Sequence, residues 1–183
     1  LLSGGGIQTG RQKGEKGMRL EAMAVTIPHV EGHPNRVAFE GVLTVVNTPS
    51  DKAPAGARGH RVTLTSEAAE KALPSLLGMA VDYRPGWDGH DARRKIGILT
   101  EADVIGKKLR VRGYLYARDF PEVASAIEAQ SPEALGMSYE LADARVEDLR
   151  AEVWKLTRVT FTGAAILLRD KAAYRATSFR MTK

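Results

Sequence analysis

The sequence predicts a β-rich α+β domain with two principal helices. Three observations point there. Runs of β-prone residues with partial alternation recur from Met18 to the end of the chain. Only two segments carry both a capping residue and helical spacing. A composition of 43% apolar and 27% charged residues over 183 positions belongs to a globular chain with room for one domain and its core. Successive antiparallel strands must close or stack to bury one face.

Taken in order, "LLSGGGIQTGRQKGEKG" (1–17) is Gly-rich and basic, lacks an apolar period and reads as a flexible segment. Residues 18–183 read as a single domain. "MRLEAMAVTI" and "VAFEGVLTVV" are strand-like and are separated by the turn residues of "PHVEGHPNR". "NTPSDKAPAGARGH" is a loop long enough to suggest mobility or function. The first helix is "TSEAAEKALPSLLG": Thr65 or Ser66 can cap it, Glu67 suits its first turn, Gly78 can end it, and Pro74 should kink or shorten it. "MAVDYRPGWDGHDARRK" is a short strand followed by a loop, and "IGILTEADVIGKKLRVRGYLYA" a hairpin turning near "VIGKK". The second helix lies in "DFPEVASAIEAQ", with Asp119 as cap, Pro121 in the first turn, and Val123, Ile127 and Ala124 toward the core. Three β-like runs follow, "LGMSYELADARV", "AEVWKLTRVTF" and "GAAILL", with "EDLR" as a turn between the first two.

Several functional classes are excluded or disfavoured. The chain has no cysteine, so disulfides, thiolate metal sites and cysteine nucleophiles are ruled out, which fits a reducing cytoplasm. No apolar run approaches the ~20 residues needed to cross a bilayer, and no leader pattern opens the sequence, so neither a membrane nor secretion is expected. "GxxxxGK[ST]", "GxGxxG" after a strand and "HExxH" are absent, and no cofactor or metal is expected. The formal charge of +5 comes largely from "GRQKGEKGMR". The nearest approach to a nucleic-acid surface is "KKLRVRGYLYAR", in which Arg110, Arg112, Tyr114 and Tyr116 share a face by the period of two. A solvated basic sheet face accounts for it, so nucleic acid is not the expected partner.

Acyl-transfer chemistry remains. Ser138, in "ALGMSYEL", is either a strand-edge serine or a nucleophile; a serine hydroxyl needs a base to attack a carbonyl. The histidines are His29, His33, His60 and His90. His29 and His33 stand in a turn without a carboxylate cluster. His90 stands in the polar loop "GWDGHDARRKIG" with Asp88 and Asp91 beside it, and is either a solvated loop residue or a base whose tautomer a carboxylate could hold.

As an ordered set these pieces resemble the prohead (capsid maturation) serine proteases of tailed bacteriophages, relatives of the herpesvirus assemblin fold, from about Val37 to Phe179. The resemblance rests on "HDARRKIGILTEA" with His90 before Ile96-Gly97, a hairpin and helix, "LGMSYEL" with Ser138, and "LTRVTFTGAAILLRDKAAY" with Ala172, Ala173 and Tyr174. It implies an assemblin-like fold, a closed or nearly closed antiparallel β-barrel flanked by helices, and a serine endopeptidase with Ser138 as nucleophile and His90 as base, with Arg145 or Arg93-Arg94 as helpers for the oxyanion. It further implies cleavage of scaffold or major capsid protein, and of the protease itself, inside the assembling procapsid in the host cytoplasm. Herpesvirus relatives are similar dimers, so a homo-oligomer is implied. The family's third catalytic residue has no match: the last strand reads "TFTGAAIL", with Thr162 and Gly163, and "RGHRVTLT" before the first helix offers His60 but no Asp. His60 is the first candidate for the orienting group and Asp91 the second, with a Ser-His dyad as a third arrangement. The alternative function is a catalytically inactive, protease-like structural or decorating component of a phage capsid.

Overall fold

The computed structural model describes residues 22–182; the segment 1–17, read above as flexible, lies outside them. In chain order the strands are β1 (Ala22–Ala24), β2 (Val37–Val45), β3 (Arg61–Leu64), β4 (Ala80–Asp82), β5 (Lys95–Ile105), β6 (Lys108–Leu115), β7 (Leu135–Val146), β8 (Val153–Leu168) and β9 (Ser178–Met181). Helix α1 (Ser66–Ala72) precedes β4 and α2 (Pro121–Glu128) precedes β7. Hydrogen-bonded neighbours run β7–β8–β4–β5–β6–β2–β9, with β3 beside the first half of β8 and β1 beside β5.

Two long hairpins organise this sheet. In the first, β6 alternates strictly: Leu109, Val111, Gly113 and Leu115 are buried, while Arg110, Arg112 and Tyr114 face outward. Gly106, at φ +59°, makes its turn. In the second, β7 pairs with β8 from Leu135↔Leu168 to Val146↔Leu156. The runs "AEVWKLTRVTF" and "GAAILL", read as separate, form one strand of 16 residues. Alternation holds over 153–156, slips by one residue at Thr157-Arg158, resumes from Val159, and stops at 163–167, where every residue is buried. Such a run signals a strand covered on both faces.

The barrel is open, which corrects the expectation of closure. Among the described residues β7 and β9 share no ladder; the Met137 N–H donates instead to the Thr177 side-chain oxygen at 3.2 Å. Gly41 lets the sheet curl up to this seam, since a Cβ there would stand 2.6 Å from the Met137 sulfur and 2.6 Å from the Ser178 carbonyl oxygen. The sheet is also not purely antiparallel, because β3 and β4 both run parallel to β8. The α1 segment forces this by carrying the chain along β8 from its first half to its second. Ala68, Ala69 and Ala72 are buried, and their small size permits close approach to β8. Between β3 and β4 the edge of β8 has no strand beside it, and the Ser75 hydroxyl oxygen accepts the Phe161 N–H there at 3.0 Å.

Both helices form where the sequence places them, with differences at their ends. Thr65 caps α1, accepting the Ala68 N–H at 3.1 Å, and Pro74 turns its last part into a 3-10 helix at Leu73–Leu76. Val123 and Ile127 of α2 are buried as expected. Asp119 does not cap α2; its carboxylate accepts the Asn35 amide at 2.8 Å, and Phe120 stands at the N-cap without a side-chain hydrogen bond. The long loop before β3 is tied down at Ser50, whose N–H donates to the Val62 carbonyl, and by the Tyr174 hydroxyl on the Thr48 and Val62 carbonyls.

Because the Gly41 site is closed on two sides, Gly41→Val should destabilise the fold by about 1–3 kcal/mol, the usual cost of overpacking. Urea unfolding would measure it; an unchanged midpoint would mean that the seam accommodates a larger side chain at 41.

Candidate active site

The doubly buried half of β8 carries the site. Ala165 is paired with Asp82 of β4 on one side and with Ser138 of β7 on the other. Directly paired residues present their side chains on the same face, so Asp82, Ala165 and Ser138 form one row across three strands, ~10 Å from end to end. Val81, Ala164 and Met137, each next to a row member, belong to the hydrophobic core on the opposite face. Ala165 is fully buried yet outside that core, because something else covers it.

The cover is the loop 83–94. It leaves β4 after Asp82 and stays beside the end of β8, where the Leu168 N–H donates to the Trp87 carbonyl at 2.8 Å. Trp87 has φ +56°, a left-handed conformation that costs a bulky residue free energy, and its ring packs 5.2 Å from that of Tyr83. The loop's later part is fixed by the Asp91 N–H, which donates to Asp82 Oδ1 at 3.0 Å. His90 is thereby held above the sheet. Its Nδ1 lies 3.6 Å from Asp82 Oδ1 and 3.9 Å from Glu140 Oε1. Glu140 is two residues beyond Ser138 on the same side of β7, ~7 Å along the strand. The ring therefore stands over β8 between a carboxylate from β4 and one from β7, on the face of the sheet that carries Ser138.

Asp82 is 1% exposed. Burying a carboxylate is costly unless it is paired, and Asp82 has the Asp91 N–H on Oδ1 and the Lys95 ammonium 3.5 Å from Oδ2. Both ring nitrogens of His90 are buried, and among the described residues neither has a hydrogen-bond partner. At 3.6 Å the contact with Asp82 is too long for a hydrogen bond and within ion-pair reach.

Of the residues singled out from the sequence, Ser138 and His90 belong to the same face of the sheet, with no hydrogen bond between them, and His60 lies far from both. His60 lies at the start of β3, stacked on Trp154 at 4.4 Å, with Nδ1 3.1 Å from the Glu152 carbonyl oxygen. That is the opposite end of β8, 13 residues before Ala165. Asp91 is close in sequence but engaged elsewhere. The Arg93 N–H, donating to its carboxylate at 3.0 Å, holds its pKa below the usual range, helped by the Arg93 and Arg94 guanidinium groups. Asp88 pairs with Arg84 at 2.7 Å. Arg145 is paired with Arg158 on the exposed arm of the hairpin, seven residues from Ser138. Arg93 and Arg94 project from the His90 loop and engage Asp91. His33 Nδ1 accepts the Asn35 N–H, and among the described residues no group of three or more metal-ligating side chains occurs.

Sequence reasoning missed Asp82. The available signal was an acid closing the apolar strand "MAV", eight residues before His90, where a buried strand end meets a polar loop. The basic outer face did form but is neutralised. Arg110 makes two hydrogen bonds to Asp103, at 2.9 and 3.0 Å, and Arg112 lies between Glu101 and Glu40.

No family model and no curated protein matches the chain. Among solved structures, KSHV protease in complex with a hexapeptide phosphonate inhibitor is similar at 11% identity and a TM-score of 0.45, over 80% of this chain and 65% of that one. The chain thus spans just under two thirds of that protein's length.

Because Ala165 is the floor under His90, Ala165→Leu should overfill the space and destabilise the protein by about 1–3 kcal/mol. Thermal unfolding would read this as a lowered midpoint, and an unaltered midpoint would mean that the loop does not rest on β8.

Proposed function

We propose that the chain is a serine endopeptidase in which Ser138 is the nucleophile, His90 the general base and Asp82 the orienting acid. One observation carries this reading: a fully buried carboxylate faces the imidazole directly above the row that ends in the only serine of β7. With Nδ1 turned toward Asp82, Nε2 is the nitrogen left to take the Ser138 proton. The Ser138 oxygen then attacks the scissile carbonyl, and the protonated His90 gives its proton to the leaving amine as the C–N bond breaks. Water, deprotonated by the same nitrogen, releases the acyl group and restores Ser138. The Nδ1–Oδ1 contact must shorten from 3.6 Å to hydrogen-bond length for this relay. Catalytic hydrogen bonds are often long without substrate and tighten around it.

The substrate class comes from the sequence resemblance. "HDARRKIG", "LGMSYEL" and "LTRVTFTGAAILL" support a prohead protease that cuts scaffold or capsid-protein precursor, and itself, inside a phage procapsid. Asp82 supplies the acid that the last strand lacks, and it replaces His60 in that role. The neutralised arginines of β6 weigh against the nucleic-acid reading, which needs free positive charge.

A fluorophosphonate should add once to the parent protein by intact mass, and not to Ser138→Ala or His90→Ala. Asp82→Asn should slow the addition about 10²–10⁴-fold, the scale on which a mis-set histidine tautomer acts, while His60→Ala leaves the rate unchanged. Co-expression with capsid and scaffold precursors separates this from an inert shell component: Ser138→Ala should leave them uncleaved. Unchanged processing would favour the structural role.

A further inference from the structure

Glu140 has an unusual placement for a half-exposed strand residue. Its register partner on β8 is Gly163, and a Cβ on Gly163 would stand 2.7 Å from Glu140 Oε2, 3.2 Å from its Cβ and 3.3 Å from its Cδ. The side chain therefore lies flat across β8, filling the space that a side chain at 163 would take. It ends with Oε1 3.9 Å from His90 Nδ1, the nitrogen that faces Asp82. Some surface acids pair with a lysine or arginine, as Asp88 does with Arg84, Glu147 with Lys155 and Glu40 with Arg180. Among the described residues the ion-pairing partner of Glu140 is His90.

We propose that Glu140 is a second positioning acid for His90, which with Asp82 keeps the ring proton on Nδ1 and leaves Nε2 open to Ser138. This rests on the serine-protease reading above. The need for a second acid follows from how Asp82 is occupied. Its Oδ1 is shared with the Asp91 N–H and its Oδ2 faces Lys95, so part of its charge is already offset. The remaining charges around the ring are committed: Asp91 to Arg93 and Arg94, and Asp88 to Arg84. Glu140 brings an uncompensated negative charge to the same nitrogen from the other side of β8. That charge stabilises the imidazolium that forms when Ser138 attacks. Gly163 is the residue that makes room for it.

The experiment uses fluorophosphonate acylation rates at saturating reagent and ¹⁵N shifts of the His90 ring recorded without reagent. Glu140→Gln, which keeps shape and removes charge, should slow acylation about 3–30-fold, the range expected for a half-screened charge at this distance. The half-saturating concentration should stay put. The ring shifts should move away from the Nδ1-protonated form. Glu140→Ala combined with Gly163→Asp returns a carboxylate to the same space from β8 and should recover most of the rate and the parent shifts. Parent-like rate and shifts in Glu140→Gln would overturn the proposal, as would a rate loss with unmoved shifts that Gly163→Asp fails to recover. Absence of any Ser138 adduct in the parent would sink the protease reading instead, and the ring shifts alone would still decide whether Glu140 sets the tautomer.

Discussion

The burial of β8 on both faces between Gly163 and Leu167 is the constraint on which the rest of the structure depends. One face closes the hydrophobic core through Ala164 and Ile166. The other is floored by Gly163 and Ala165, which are small enough for the loop 83–94 to lie down on the strand. Larger residues there would push the loop off and separate His90 from both carboxylates. The strand thus has two tasks, and the run of small side chains lets it perform both.

Burial also explains the electrostatics. A carboxylate at the end of β4 could remain in water, yet Asp82 is enclosed and its charge is met by a backbone N–H and a lysine. The loop that encloses it also holds His90 above it, so burying the carboxylate and placing the imidazole against it are one event. The left-handed Trp87 is a local cost of that path, offset by its carbonyl bond to Leu168 and its packing on Tyr83.

Much of the fold was legible in the sequence because its signals were local. The alternation of β6, the capping threonine of α1 and the strand carrying Ser138 all fell where propensity and period put them. Features set by distant contacts were not legible. Strand β9 is four residues long and exists through its pairing with β2. The parallel partners of β8 follow from the route of α1. The gap in the barrel lies between β7 and β9, which are distant in sequence and are bridged by the Met137 N–H donating to the Thr177 hydroxyl. In the candidate site, the neighbourhoods of Ser138 and His90 left their roles open, and the family resemblance singled the two residues out. Asp82 was not singled out, because an acid at a strand end becomes an orienting group only when the chain returns over it. His60 was proposed by chain position alone, and the length of β8 carries it away.

The central claim is that Asp82, His90 and Ser138 act as one relay above Ala165. A crystal structure of the phosphonylated protein tests it most directly. Phosphorus should be bonded to Ser138 Oγ, with His90 Nε2 within hydrogen-bond distance of the adduct and Nδ1 drawn from 3.6 Å to hydrogen-bond length from Asp82 Oδ1. An adduct on another residue, or His90 turned away from both Asp82 and the adduct, would contradict it.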